Sequence, residues 1–276
     1  MNQSESREQF KDAAGKIHGL ADPCARIVCL VPSITELLFD LGLDDQVVGR
    51  TGFCIHPREK VKTVPKVGGT KDVNSGKIRE LAPTHLIVNI DENEKPAVEF
   101  LSQSVPNVIV THPLAPLDNL KLYRLIGGIF GSSERAEKLC AEFQAAHDQA
   151  VSACTKLTRE RVLYLIWKDP WMTVSRDTYI SQTLATVGWD TVEVNSPDRY
   201  PRIALTGDLL SGVNRILLSS EPYSFREKHV KEMGRLLLPF TDHRSPITVS
   251  LIDGEMTSWY GSRALVGMNY LAQLRS

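Results

Sequence analysis

The sequence predicts an α/β protein made of two Rossmann-like lobes with parallel-rich sheets, bridged by one long rigid α-helix, with a ligand cleft expected between the lobes. Three observations predict it. Short β-branched apolar runs alternate with helical periodicity, the grammar of a parallel sheet covered by helices. One central stretch has a sustained helical pattern and almost no strand signal. The segments after that stretch repeat, in the same order, the segments before it.

The first lobe opens at Arg26. "RIVCLV" (26–31) is short, apolar and β-branched, hence a buried strand. In "PSITELLFDLG", Ser33 and Glu36 have capping-box spacing, Leu37, Leu38 and Leu41 make one apolar face, and Gly42 stops the helix. "QVVGR" then reads as strand, "GKIRELAP" as a short helix ended at Pro83, "HLIVNI" as strand, "EKPAVEFLSQ" as helix and "NVIVTHP" as strand. Residues 26–131 make this lobe, and residues 1–25 read as a flexible N-terminal tail.

Residues 132–160 are the predicted bridge. Apolar residues recur at 139, 143, 146, 150, 151 and 154, with Ser132 or Ser133 as N-cap. A helix of about 25 residues spans nearly 40 Å, more than one lobe needs. It reads either as a long surface helix or as a strut joining two lobes.

The second lobe, 161–276, repeats the first. "RVLYLIW" answers "RIVCLV", and "TYISQTLATVGWDTV" answers "SITELLFDLGLDDQVV". "DLLSGVNRILLSSEPYSFREKHVKEM" answers "IRELAPTHLIVNIDENEKPAVEFL", and "SPITVSLID" answers "VPNVIVTHP".

Composition bounds the function classes. A chain of 276 residues holds two lobes of about 100–150 residues each. Lysine plus arginine (32) nearly balances aspartate plus glutamate (33), so neither nucleic acid nor an anionic membrane is an expected partner. No apolar run reaches the roughly 18–20 residues of a membrane span. The start "MNQSESREQFKDAAGKIHGLADP" has no apolar stretch after its charges. Five cysteines lack a disulfide-framework spacing. Both point to the cytoplasm for the sequence as given, or to the periplasm if the start is misassigned or a signal was removed.

Ligands of parallel α/β sheets sit beyond the carboxyl ends of the strands. The candidate ligand residues follow from that rule. The first lobe supplies Ser33 from "PSIT", Phe53 and His56 from "TGFCIHP", Thr70 and Lys71 from "GGTKD", and Asp91, Glu92 and Asn93 from "NIDENE". The second supplies Trp167 and Trp171 from "WKDPW", Tyr200 from "DRYP", and Glu221 and Tyr223 from "SSEPYSF". The last corner, "DGEMTSWYGSR", adds Glu255, Trp259, Tyr260 and Arg263.

Each of these has a plainer alternative. Trp259 and Tyr260, taken as the first turn of a helix capped by Thr257 or Ser258, face about 100° apart and cannot share one core. At least one should then reach ligand. Arg263 either binds a ligand carboxylate or phosphate, or pairs with Glu255 or Asp253. Trp167 either contacts ligand or ends a buried strand. Acids after strands contact ligand or cap the next helix. Cys54 with His56, and His112, could start a metal site, but no HxH, HExxH or CxxC spacing supports one. "VGGTK" is too short for a phosphate loop and there is no G-x-S-x-G elbow, so no enzyme motif is present.

"RIVCLVPSITELLFDLG…VVG", "VGGTKDVN", "LAPTHLIV", the long helix and "LIW…TYI…VGW" together resemble the helical-backbone periplasmic-binding-protein family, closest to its cobalamin branch. The resemblance runs from about Arg26 to Leu274 and implies the same two lobes and one helix. It also implies a non-enzymatic protein that binds cobalamin or another metal chelate for an ABC importer, needs no cofactor, and acts as a monomer. Two departures stand out. Where the branch carries aromatic rings in the first lobe, Phe53 is kept, but Thr70 and Ile90 replace two others. Where it carries permease-docking glutamates, the matching residues are Gly76 and Gly207, with Lys77 or Asp208 as neighbours. The alternative implied is a cytoplasmic protein that sequesters a corrinoid or small ligand without a permease; an enzyme in the cleft is a third.

Overall fold

A computed structural model of the chain describes residues 10–240 and 247–275. Two compact units divide it. Unit 1 holds residues up to Pro113, then Leu117–Phe143 and, from far along the chain, Tyr260–Arg263. Unit 2 holds Leu114–Pro116, Gln144–Trp259 and the chain from Ala264 on.

Unit 1 is built on four parallel strands, β3 (Ile27–Cys29), β4 (Val47–Arg50), β5 (His85–Asn89) and β6 (Asn107–Thr111), in the order β4-β3-β5-β6. The helices α1 (Pro32–Asp40), α2 (Arg58–Val61), α3 (Ser75–Glu80) and α4 (Lys95–Ser102) fall between these strands, and α5 (Asp118–Ile129) follows them. Val28, Leu30, Leu86 and Val88 pack with Ile78, Leu101 and Val105 into one core. The strands are near-continuous apolar runs because both faces of a parallel sheet are covered.

Unit 2 has the same plan. Its parallel strands β7 (Glu160–Leu165), β8 (Trp189–Thr191), β9 (Arg215–Ser219) and β10 (Thr248–Ile252) run β8-β7-β9-β10. With them are α7 (Tyr179–Thr186), α8 (Gly207–Leu210), α9 (Glu227–Leu237), α10 (Gly254–Ser258) and α11 (Arg263–Arg275), whose first residue belongs to unit 1. Leu163, Leu165, Ile216 and Leu218 pack with Phe225, Met233 and Leu237. Strand for strand the two orders correspond, as a duplicated lobe requires. The long helix α6 (Ser133–Cys154) is continuous, its first half in unit 1 and the rest in unit 2. No helix among the described residues is long and apolar enough to cross a membrane.

The structure corrects several local expectations. Residues 1–9 of the expected flexible tail lie outside the described residues, but 10–25 are an ordered part of unit 1. Strands β1 (Phe10–Lys11) and β2 (Ile17–His18) form an antiparallel hairpin. The buried Asp12 carboxylate organises it, accepting from the Ala14 and Lys16 amides, the Val110 amide and the His18 ring at 2.9–3.0 Å. Two-residue strands leave no period to read, so only a side chain's contacts reveal them. The bridge helix ends at Cys154, not 160, because β7 begins at Glu160 and Leu157 already turns back on Cys154. Ser33 does not cap α1. Val31 holds the N-cap position, Pro32 opens the helix, and Glu36 is engaged elsewhere.

Candidate functional site

Unit 1 presents four loops at the carboxyl ends of its strands. After β4, the Cys54 thiol is buried between the Thr35 and Thr51 hydroxyls, each 3.2 Å away, and burial pushes it above the usual thiol range. That anchor holds up a short arch on which Phe53 and Ile55 are exposed. The next loop is a tight turn: Gly68 has φ +110°, and a Cβ there would come within 2.4 Å of the Asp72 carbonyl. Thr70 is half-buried, Lys71 is exposed, and a Cβ on Gly69 would stand 3.4 Å from the Phe53 ring.

Asn93 joins the loops. Its buried amide donates to the Thr70 carbonyl at 2.8 Å and accepts from the Asn89 amide at 2.8 Å. Its side chain is thus a structural pin between the turn and the end of β5. Asp91 lies 3.4 Å from the His112 ring, and Glu92 accepts from the Tyr260 hydroxyl. Ile90 is half exposed beside them. His56 is half-buried in the first arch. Ser33 is buried, and among the described residues its hydroxyl has no hydrogen-bond partner.

In unit 2, Trp167 does not end a strand. β7 stops at Leu165, and Trp167 opens a hairpin in which it bridges Met172 and stays partly exposed. Its ring meets Tyr223 edge-on at 5.5 Å. Trp171, at the other side of the turn, stacks on Phe225 at 6.2 Å and packs against the core. The segment carrying Tyr200 is held by backbone bonds from Thr173 to Pro201 and from Ile203 to Trp171, which leaves Tyr200 half-buried. The Tyr223 hydroxyl is 3.4 Å from His229 Nε2, and His229 Nδ1 accepts from the Arg226 amide. Burial, helped by the neighbouring Lys228 and Lys168, lowers the His229 pKa below the usual imidazole range.

The last corner departs most from expectation. Trp259 does not start a helix. It ends α10, whose N-cap is Asp253, accepting from the Glu255 amide at 3.0 Å. Trp259 and Tyr260 are both buried, 9% and 7% exposed; Trp259 belongs to unit 2 and Tyr260 to unit 1. Each ring donates to a carboxylate of its own unit. Trp259 Nε1 donates to Glu221 Oε1 at 2.8 Å, joined there by the Ser258 hydroxyl at 2.9 Å, while Tyr260 donates to Glu92. The next residues anchor the segment in unit 1. Gly261, at φ +80°, bonds Asn119 and Tyr123, and the Arg263 guanidinium grips both oxygens of Glu36 at 2.6 and 2.7 Å.

Glu221 is half-buried, and its carboxyl is pushed above the usual glutamate range. Burial is the main cause, opposed by the Ser258 and Trp259 bonds and reinforced by Glu255 and Asp253. Gly254 lets the corner come close: a Cβ there would lie 2.4 Å from Glu221 Cγ and 2.6 Å from Ser219 Oγ. Gly254→Ala is therefore expected to lower stability by about 1–3 kcal/mol through overpacking. Thermal melting checks it, and an unchanged Tm would show that the corner yields freely.

Sequence reasoning missed Ile55 and the role of Ile90. An aliphatic residue directly after β5 (Ile90) and another within the arch after β4 (Ile55) were the available signal. It also missed Tyr164, wholly buried and bonded to the Ser219 and Thr257 hydroxyls at 2.9 and 2.6 Å, which backs the same corner. Among the described residues no group of three or more His, Cys, Asp or Glu side chains is placed to hold a metal ion.

Comparison with known proteins adds to this geometry. A family model described as "Periplasmic binding protein" matches residues 27–202. The uncharacterized ABC transporter substrate-binding lipoprotein YvrC of Bacillus subtilis is 27% identical over 166 residues, 58% of this chain and 52% of that protein. The chain thus spans about half the length of that relative. A vitamin B12-binding protein of Pectobacterium carotovorum is 22% identical over 204 residues, 71% of this chain and 72% of its own. Among solved structures, the periplasmic vitamin B12 binding protein BtuF of Vibrio cholerae aligns with TM-score 0.78 at 16% identity, covering 91% of this chain and 96% of that one. The periplasmic heme-binding protein RhuT from Roseiflexus sp. RS-1 aligns with TM-score 0.71 at 22% identity, covering 91% and 97%. At these identities the structural likeness establishes the fold.

Proposed function

We propose, from the premise that this chain belongs to the periplasmic binding protein family, that it is a solute-binding component of ABC-type uptake whose solute is a corrinoid or a related metal chelate. The family is one of binding proteins, not enzymes. The observation that carries the reading is the exposure of large apolar side chains on the loops after the strands. Phe53 is 62% exposed, Ile55 is exposed on the same arch and Ile90 on the loop after β5, and Trp167 is 39% exposed in unit 2. A planar or caged chelate offers broad apolar faces to such rings and a polar rim to the acids and amides beside them. Relatives bearing vitamin B12-binding and heme-binding names support a bulky chelate over a small sugar or amino acid.

The candidate contacts are Phe53, His56, Thr70 and Lys71 with Asp91 and Glu92 in unit 1, and Trp167, Tyr200, Tyr223, Glu221 and Glu255 in unit 2. Ser33, Asn93, Trp171, Trp259, Tyr260 and Arg263 support those loops from behind. Where docking glutamates would meet permease arginines, Asp208 beside Gly207 in α8 is an exposed acid, while Lys77 beside Gly76 in α3 carries the opposite charge and would repel them. Co-purification with the permease complex tests that partner.

Calorimetry and visible spectra with cyanocobalamin, haemin and a ferric siderophore test the solute. One of them is expected to bind, and Phe53→Ala and Trp167→Ala should each weaken it by roughly tenfold, the scale of a lost aromatic contact. Failure of all three at tens of micromolar would sink the reading.

A further inference from the structure

We propose that Glu221 decides which class of chelate this protein takes: one whose rim offers N–H donors, primary amides above all, and not one whose rim carries carboxylates. The inference rests on the solute-binding reading and deepens it.

The geometry is unusual for an acid in a loop. Glu221 stands two residues beyond β9, on the loop where a solute of this fold is met. Both of its donors, the Trp259 indole and the Ser258 hydroxyl, fall on the same oxygen, Oε1. The pair fixes the carboxylate plane and leaves Oε2 to accept a donor from outside. The Ser219 hydroxyl donates to the Glu221 backbone carbonyl at 2.7 Å and Gly254 packs close to Glu221 Cγ, which together hold the residue's backbone and the base of its side chain in place. Neither Glu221 nor its neighbour Asp253 has an ion-pair partner among the described residues. Of the basic groups on the neighbouring loops of unit 2, Lys168 pairs with Glu232 at 2.5 Å and Arg199 with Asp177 at 2.8 Å, and neither is paired with Glu221.

A fixed acceptor that lacks a cation rewards an amide N–H and repels a carboxylate. Both effects grow as solute excludes water, and the second excludes competitors more sharply than the first attracts. The internal repeat strengthens the assignment. In unit 1 Glu92, three residues beyond β5 and so one position past the place Glu221 has after β9, is likewise bonded by a ring, Tyr260. Adjacent residues of the chain therefore hold the acid of each repeat. Trp259 is accordingly a positioning residue, acting on solute through Glu221.

Two solutes that differ in rim chemistry test this. Cyanocobalamin carries primary amides, and haemin carries two carboxylates. The wild-type protein is expected to bind cyanocobalamin at least tenfold more tightly than haemin. Glu221→Gln keeps an oxygen for Trp259 and Ser258 and removes the charge, so the ratio should fall at least fivefold, chiefly through tighter haemin. Trp259→Phe keeps the ring and removes its donor, and should lower the ratio through weaker cyanocobalamin, with the melting temperature showing that both variants fold. Equal or tighter haemin binding by the wild type, or an unchanged ratio in Glu221→Gln, overturns the inference and leaves the solute-binding reading intact. Binding of neither solute removes the inference, and the solute-binding reading falls with it only if the ferric siderophore also fails to bind.

Discussion

Arg263→Ala is expected to cost about 3–5 kcal/mol of folding stability, the range for removing one partner of a buried ion pair. The guanidinium and the Glu36 carboxylate are 13% and 14% exposed and bond through two parallel N–H···O contacts. Truncation leaves the Glu36 charge buried on α1 without that partner. It also loosens the segment whose preceding residues hold Asn119, Tyr123 and Glu92. The double variant Arg263→Met with Glu36→Leu should regain part of the loss, since the uncompensated charge is the larger cost. Urea unfolding measures both, and a loss below about 1 kcal/mol for the single variant would mean that the pair behaves as a solvent-screened one.

A comparable effect is expected in unit 2 from Trp189→Ala, about 3–5 kcal/mol for a large buried ring. Trp189 is 1% exposed, and the Arg215 and Arg275 guanidiniums lie 5.6 and 5.8 Å from its centroid. Its indole donates to Glu160 Oε2, and the same carboxylate pairs with both arginines at 3.1 Å. Burial acts to raise the Glu160 pKa, but the two arginines outweigh it and hold the carboxyl below its usual range. Trp189→Phe keeps most of the volume and loses one hydrogen bond to a charged group, so it should cost about 1.5–3 kcal/mol. If the two variants lose the same stability in denaturant unfolding, ring volume is not what Trp189 contributes.

The alternation of short apolar runs with amphipathic stretches was readable residue by residue. Leu86 to Val88 and Leu163 to Leu165 can hardly be anything but sheet interior, and their repetition in order disclosed two equivalent units. Candidate loops followed from the strands, since a parallel sheet always turns into its helices at the carboxyl ends. Less legible was the work done by each side chain on those loops. Asn93 looked like a ligand contact and is a pin for the turn at Thr70, because its amide is buried against two backbone groups. Trp171 looked equivalent to Trp167, but its ring stacks on Phe225 while Trp167 stays open. The hairpin at Phe10–His18 left no pattern at all, being held by one carboxylate, Asp12.

Fold class, the duplicated lobes and the long helix were therefore readable in the sequence, because period and turn chemistry are local and survive without knowledge of neighbours. The fate of "SWYGSR" was settled by long-range packing. Tyr260 reaches Glu92 across 168 residues of sequence, and Arg263 reaches Glu36 across 227. A local reading offers every acid within reach as an equal partner, and only burial and close approach choose among them. That choice returns four C-terminal residues to unit 1 and sends two adjacent rings, expected to face a ligand, to two different carboxylates.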